Sequence, residues 1–462
     1  MSGPMTRVIE VVAPARLGMP FRWLLSSSTI TNLGDGVIVA AGPLLVASLT
    51  SDAFLVSLAF LFEYLPSLVL GAFAGVVVDR VDRRRMVIFV NLARAVVFVG
   101  LAVAIVANVV SIALVLAALL LLSAAETFGD LAGSSLLPRL VPRKGLGLAN
   151  ARLQATYLLP NQLIGPPIGA FLFALGASTP FIADALCYVA GAVFISRIAA
   201  SVAARPAAPA TASEGAADAG AVAGEGAPPG EDASADAAPD DGIDDDVGPT
   251  GVASIWHELV EGFRWLMAHP PMRTLVLTIL AFNVTFGAAW SVLVLYARDQ
   301  LQMDTVGFGL LTTASAIGGI IGTSAYGALE RRFSLADIMR VGLVIETATH
   351  LTLALTHSPA VALAVMVVFG AHAFVWGTTA TTVRQRAVPD ALMGRVSGIY
   401  RVAVFGGMVA GAPIGGALAS TFGITAPFWF GFVGSAILVT LLWREFRHIA
   451  HDAEADAGAA AT

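Results

Sequence analysis

Twelve stretches of about 20 mostly apolar residues, each set off from the next by Gly, Pro or a charge cluster, run through this 462-residue chain. That length matches the roughly 30 Å hydrocarbon core of a bilayer at about 1.5 Å of rise per helical residue. Hydrocarbon offers backbone N–H and C=O groups no water, so each stretch must satisfy its own hydrogen bonds as a helix. The stretches fall near 22–48, 53–78, 86–108, 111–137, 149–175 and 180–199 and, after a gap, near 272–297, 306–328, 336–356, 360–383, 395–421 and 426–443. Charged residues make up only 13% of the chain, against roughly 25% in a soluble domain, which excludes a soluble globular enzyme. A mean hydropathy of +0.81 likewise excludes a disordered chain. With Cys187 as the single cysteine, neither a disulfide framework nor a cysteine-based zinc site is available.

An even number of spans leaves both termini on one side, and the basic residues say which. Alternate loops, at 79–85, 138–148, 200–271, 329–340 and 384–395, together with the two termini, hold 22 of the 26 bases. The opposite loops hold only Arg298, and Arg94, Arg152 and Arg401 lie within spans. The excess of positive charge places both termini in the cytoplasm of a bacterial inner-membrane protein. Glu10, Arg16 and Arg22 precede a full-length first span with no small-residue cleavage pattern, so no cleavable signal is expected.

The order is therefore a cytoplasmic N-terminus at 1–21, a six-helix half at 22–199, a linker at 200–250, a short helix at 251–271, a second six-helix half at 272–443 and a cytoplasmic tail at 444–462. Residues 201–250 carry 11 acids and one Arg among Ala, Pro and Gly, a composition expected to form a disordered spacer. Next, Trp256, Leu259, Phe263, Leu266 and Met267 recur at helical spacing, which predicts an interfacial helix leading into the seventh span.

The two halves repeat one another. Val141-Pro142 matches Val388-Pro389 and Arg139 matches Arg386 at an offset of 247, Pro167-Ile168-Gly169 matches Pro413-Ile414-Gly415 at 246, and Arg152 matches Arg401 at 249. Gly71 matches Gly322 and Asp79-Arg80 matches Glu330-Arg331 at 251. Matches in one order at a nearly constant offset predict duplicated six-helix bundles, an arrangement that places a binding site between the halves near the midplane.

GAFAGVVVDRVDRRR at 71–85 resembles the loop signature between helices 2 and 3 of the major facilitator superfamily. NLGDG at 32–36, SLLPRLVPRKGLGLANARLQ at 135–154, GPPIGAFLFALG at 165–176 and RQRAVPDALMGRVSGIYR at 384–401 resemble its proton-coupled efflux branch, that of the enterobactin exporter and macrolide-efflux proteins. The resemblance runs from about residue 21 to 443 and departs in the long acidic linker and in GALERRFSLAD, a degraded second copy of the loop signature. It implies an all-α membrane protein with twelve transmembrane helices in two six-helix bundles, alternating access, and a central cavity lined by helices 1, 4, 7 and 10.

In the loop signature, Gly71 and Gly75 sit at i, i+4 and allow close helix contact. Asp79, at the cytoplasmic end, is suited to a helix N-terminus. The resemblance implies that this partner is helix 11 near 393–395 and that the contact latches the cytoplasmic side closed. Arg80, Arg83, Arg84 and Arg85 either share in the latch or fix topology and bind lipid phosphate.

An ionisable residue at mid-span costs about 2.5–3.5 kcal/mol on insertion scales and is a functional candidate by default. Asp35, Glu63, Glu126, Glu346 and His372 fall near the midplane. The cavity implied by the resemblance selects Asp35, Glu126, Asn283, His372 and Trp376, with Asn32 beside Asp35 and with Asp130 one turn from Glu126. Glu126 and Asp130 share a helix face, where like charges repel, and either Glu126 or Asp35 is expected to exchange the coupling proton. Alternatively these acids only pair with buried arginines, Arg94 first among them. Glu346 and His350 at i, i+4 are expected to pair, and Arg152 and Arg401 either join ion pairs or snorkel to headgroups. Glu63, just before Leu65-Pro66, either faces the cavity or satisfies backbone freed by the bend.

No G-x-x-x-x-G-K-[ST], H-E-x-x-H or G-x-S-x-G pattern occurs, and Lys144, the single lysine, precedes Gly145. The chain is therefore read as a transporter driven by an ion gradient, with no enzyme activity, cofactor, metal or nucleic-acid partner expected. A monomer exporting small amphiphilic molecules against protons, drug-like compounds or siderophores, is the leading reading. A lipid or lysolipid flippase of the same fold, or a membrane scaffold or sensor, stands beside it, and sodium is an alternative coupling ion.

Overall fold

The computed structural model describes residues 14–199 and 252–446. The linker assigned to 200–250, residues 1–13 and the tail from 447 lie outside the described residues. Hydrophobic length and short polar caps set the elements: α1 Gly18–Leu49, α2 Ala53–Arg80, α3 Arg83–Val106, α4 Ile112–Leu140, α5 at 146–175, α6 Thr179–Ser196, α7 Val252–Ala268, α8 Pro270–Trp290, α9 Thr305–Glu330, α10 Leu335–Leu355, α11 Pro359–Ala387, α12 Asp390–Phe422 and α13 Ala426–Leu442. Side chains of Asp52, Asp82, Ser111, Asp304 and Ser334 accept the first free amides of α2, α3, α4, α9 and α10. Among the described residues, eleven helices are long and apolar enough to cross a membrane, and α13 is a shorter apolar one.

Two spans read as continuous in sequence are interrupted. In α5 the helix Leu146–Thr156 opens into a π-helix, Tyr157–Ile164, before resuming as Gly165–Leu175. Pro160 lies inside the widened segment, and the Gly165 amide donates to its carbonyl. The seventh span stops at Trp290 and continues as Leu293–Leu295 and a π-turn, Tyr296–Gln300. Such widened turns concentrate at functional positions.

The internal repeat reappears as packing. Gly165 of α5 abuts the backbone of Gly36 in α1, and Gly169 abuts Val37; in the second half Gly411 of α12 abuts Gly287 in α8, and Gly415 abuts Ala288. Each glycine leaves room for backbone of the crossing helix where a Cβ would collide, the close approach that small residues give membrane helices. The match extends to charge: Arg386 pairs with Glu330 at 3.1 Å, and the repeat-related Arg139 lies in the field of Asp79.

The halves share one apolar core at the end remote from the arginines, called here the far end. There Leu45, Val46 and Ala53 cluster with Val292, Leu295, Tyr296 and Leu301. Gly416 of α12 lies against Phe54 and Ser57 of α2, Gly309 of α9 against Pro166 and Ala170 of α5, and Arg298 donates to the Ala47 carbonyl at 3.2 Å. Toward the arginine-rich end the cores separate, Leu17, Phe21, Val78 and Leu136 in one half and Leu266, Met272, Leu335 and Val388 in the other. Gly75, Gly133 and Gly147 in one half and Gly394 and Gly398 in the other border open space. The bundles are sealed at the far end and apart at the arginine-rich end.

The short helix α7 packs through Gly262 onto Arg395 and Ile399 of α12, and Glu261 accepts from Arg395 at 2.6 Å. Leu266 is buried and Phe263 is 54% exposed, with Gly262 and Leu266 supplying the packed stripe. The side chains of Trp256 and Leu259 lie outside the described residues.

Candidate functional site

Three helices bring charge to the middle of the first bundle. Arg94 of α3 donates to Asp35 of α1 at 2.7 Å and to Glu126 of α4 at 3.4 Å. Its guanidinium sits 4.3 Å from the ring centroid of Tyr188 on α6, whose hydroxyl donates to Asp35. Exposure is graded along this chain: Tyr188 is fully buried, the Arg94 and Asp35 side chains are 8% and 16% exposed, and that of Glu126 is 42% exposed. Glu126 therefore stands where the ion-pair chain meets the open space between the bundles. Asp130, one turn on, and Glu63 of α2 are exposed as well, and Glu63, Tyr64, Glu126 and Tyr157 lie in one another's electrostatic field. Burying a lone ion in a low-dielectric interior costs several kcal/mol, so Arg94 and Asp35 require each other. A single guanidinium facing Asp35, Glu126 and Asp130 leaves the cluster short of positive charge, and a proton or a cationic guest can make up the difference.

Aromatic rings cluster in the second half, Phe286 and Phe369 buried and Phe282 and Trp290 half-buried. Phe282, Phe286, Trp290 and Phe369 stack in the second half, with Phe286 and Trp290 centroids 4.5 Å apart. Phe60 of α2 meets Phe286 at 6.2 Å, and Tyr64 meets Phe405 of α12 at 6.3 Å. Sequence reasoning missed this wall, because aromatics within apolar spans give no signal of which face they occupy.

The second bundle has its own buried polar group. Glu346 of α10 lies 3.3 Å from His350 and 3.3 Å from His372 of α11, all three with side chains 2% exposed or less. The expected Glu346–His350 pair is present, and His372 completes it. Three cavity expectations are corrected: His372, Trp376 and Asn283 are 5%, 4% and 2% exposed and lie under the packing of the second half. His372 turns to Glu346, Trp376 packs with His372 and Phe446, and Asn283 donates to the Ile279 carbonyl. Asn32 is half-buried and donates to Ser28, whose hydroxyl meets Thr156 of α5 at 2.9 Å.

The contact expected between Asp79 and the start of α12 is not made. Asp79 is 72% exposed and accepts from Arg83 of its own loop at 2.8 Å, while Arg395, near the start of α12, is held by Glu261. Arg84 donates to the Ser196 carbonyl and Arg80 is exposed. Gly71 borders the Arg401 guanidinium, and Gly75 borders open space. Arg152 and Arg401 are half-buried on α5 and α12.

A family model described as Major Facilitator Superfamily matches residues 24–412 and, overlapping it, 275–461. The multidrug efflux pump Tap of Mycolicibacterium fortuitum is 26% identical over 421 residues, covering 88% of this chain and 91% of that protein. Among solved structures, a bacterial homologue of the iron transporter ferroportin in an inward-facing state superposes with a TM-score of 0.67 at 14% identity, covering 92% of this chain and 98% of the other. A bacterial homologue of the human lysosomal transporter Spinster, inward-facing and unoccupied, gives 0.66 at 14% identity, over 95% and 98%.

Proposed function

The chain belongs to the Major Facilitator Superfamily, and on that premise we propose that it exports small amphiphilic molecules, drug-like compounds or siderophores, in exchange for protons by alternating access. The observation that carries this reading is Glu126: a mid-span carboxylate with its side chain 42% exposed, tethered to Arg94 and grouped with Tyr64, whose ring meets Phe405 of the second half at 6.3 Å. A molecule with an apolar body and a polar or cationic group fits such a space, its body on Phe282 and Trp290 and its charge on the acidic wall. The similarity to a multidrug efflux pump over most of both chains supports the same direction.

The excess of arginine at one end supports a cytoplasmic position for that end in a bacterial inner membrane. In that orientation the structure is the inward-facing state, sealed outside and open inside, with Glu126 available to a substrate from the cytoplasm. Rocking the bundles to the opposite state exposes the same site to the outside, where a proton displaces the substrate and resets the carrier. Monomeric protein suffices, since both bundles belong to one chain.

The test uses the full chain reconstituted in proteoliposomes, with ethidium as probe. Imposing a pH gradient should drive ethidium uphill, and downhill ethidium flow should release protons on the opposite side. Ethidium movement without proton movement would overturn antiport. Translocation of a fluorescent lysolipid unaffected by ethidium would replace the reading with a flippase.

A further inference from the structure

Glu63 carries a charge that the ion-pair chain does not meet. It lies mid-span on α2 and is exposed, and Arg94 acts on Asp35, Glu126 and Asp130 but not on it. Among the described residues no other cation pairs with Glu63. The bend at Pro66 does not employ its carboxylate either, since an ionised carboxylate has no hydrogen to give the carbonyls that a proline frees. The Ser123 hydroxyl of α4 does that work, donating to the backbone carbonyl of Glu63.

The same bond sets the height of the side chain. Together with the Ser67 and Thr127 hydroxyls, 3.4 Å apart, it laces α2 to α4, and Glu126 lies on α4 between Ser123 and Thr127. The two carboxylates therefore stand level on neighbouring helices. Tyr157 of α5 lies in the fields of Glu126, Asp130 and Glu63 together, which puts Glu63 on the side of α2 that faces the α4 acids. Two half-buried rings flank it: Phe60, one turn before, and Tyr64, with centroids 4.7 Å apart. Through these rings the Glu63 segment reaches the second half, Phe60 meeting Phe286 and Tyr64 meeting Phe405.

A mid-span carboxylate without a counter-charge is costly, and a cationic guest removes that cost. The flanking rings narrow the kind of cation. A quaternary ammonium has no N–H groups to satisfy, and is held by charge and by the negative faces of aromatic rings. We propose that Glu63, Phe60 and Tyr64 form a subsite for a quaternary ammonium group, and that the carrier accepts dications with one charge at Glu126 and the second at Glu63. This rests on the export reading above and deepens it by naming a substrate class. The two places differ: at Glu126 a guest competes with the Arg94 guanidinium, 3.4 Å away, whereas at Glu63 it displaces no protein cation. Once the first charge is seated, the second contact is intramolecular, so it adds affinity for a dication that a monocation does not gain.

The test compares ethidium with propidium, which shares its ring system and adds a quaternary ammonium on a short alkyl arm, in proteoliposomes holding the full chain. Wild type should move both dyes. Glu63→Gln should raise the ratio of propidium KM to ethidium KM by about tenfold, the scale of one lost charge contact. Glu63→Asp keeps the charge and should recover most of the difference. Should Glu63→Gln not fold, Phe60→Leu serves: it removes one ring and should move the same ratio in the same direction. An unchanged ratio in the variant that folds, a Glu63→Asp ratio as high as that of Glu63→Gln, or wild type that moves ethidium and not propidium overturns the subsite while the export reading stands. Wild type that moves neither dye, or ethidium movement without protons, is instead the failure of the export or the antiport reading.

Discussion

Glu126 and Arg94 differ in what their loss should do, because one faces the gap and the other is enclosed. Glu126→Gln keeps the shape of the site and removes its charge, so pH-gradient-driven ethidium efflux should be abolished; uphill efflux at the parental rate would move the coupling role to Asp35. Arg94→Gln strands Asp35 in the interior, and breaking one side of a buried ion pair costs about 3–5 kcal/mol. That variant should lose folded protein, read as a lower yield and a lower unfolding midpoint in detergent, and wild-type stability would refute the enclosure argument. Asp35, Arg94 and Glu126 were legible because an ionisable residue inside an apolar span stands out whatever the packing. Tyr188 carries no charge and was not legible, although its hydroxyl orients Asp35. His372 was misplaced for the opposite reason: α11 is apolar on every face, so nothing in its sequence tells the gap from the core.

At the level of elements, the spans were legible to within a few residues since the membrane imposes their length, as in 53–78 against Ala53–Arg80. Interruptions such as the π-helix around Pro160 were not, because a widened turn depends on the partner that fills it. The loop signature was legible as sequence but its contacts were not, because they depend on how the two bundles are tilted. Asp79 bonds Arg83 here, and Glu261 of α7 holds Arg395, so closing the arginine-rich end requires Arg395 and the start of α12 to exchange α7 for α2. Asp79→Asn removes a helix-end interaction of roughly 0.3–1 kcal/mol, which should shift the balance between open and closed states by about two- to fivefold and slow ethidium efflux accordingly. Glu261→Gln removes that ion pair from Arg395 and should shift the same balance the other way. Parallel effects of the two variants on accessibility of the arginine-rich end, read by maleimide labelling of a cysteine placed at Gly133, would refute the exchange.

For the molecule as a whole, the two bundles meet in one continuous core at the far end and part toward the arginines. The repeat made the bundles legible, and the glycine crossings of α5 on α1 and α12 on α8 explain why its best-preserved positions are small. The relative tilt of the bundles was not legible, because no pattern within a span fixes how one bundle leans on the other. The spacer at 206–248 joins the bundles without a composition that packs, so its deletion should leave ethidium efflux largely intact. Loss of efflux with normal insertion would identify it as regulatory. The seam offers the sharper test. Gly416 admits Phe54 and Ser57 of α2 where no side chain fits, so Gly416→Trp wedges α12 from α2 at the far end. Overpacking of this kind costs about 1–3 kcal/mol. Here the strain has an outlet, because rocking the bundles opens that seam and closes the other end, and a differential of this size moves a two-state balance by about 5–150-fold. A cysteine at Gly133, which borders open space now, should then lose most of its labelling from the arginine-rich side, while one at Ser57 should gain labelling from the far side. If both positions label as in the parent, the far-end seam does not hold the carrier in this state, and the bundles do not move as rigid units about the gap that Glu126 faces.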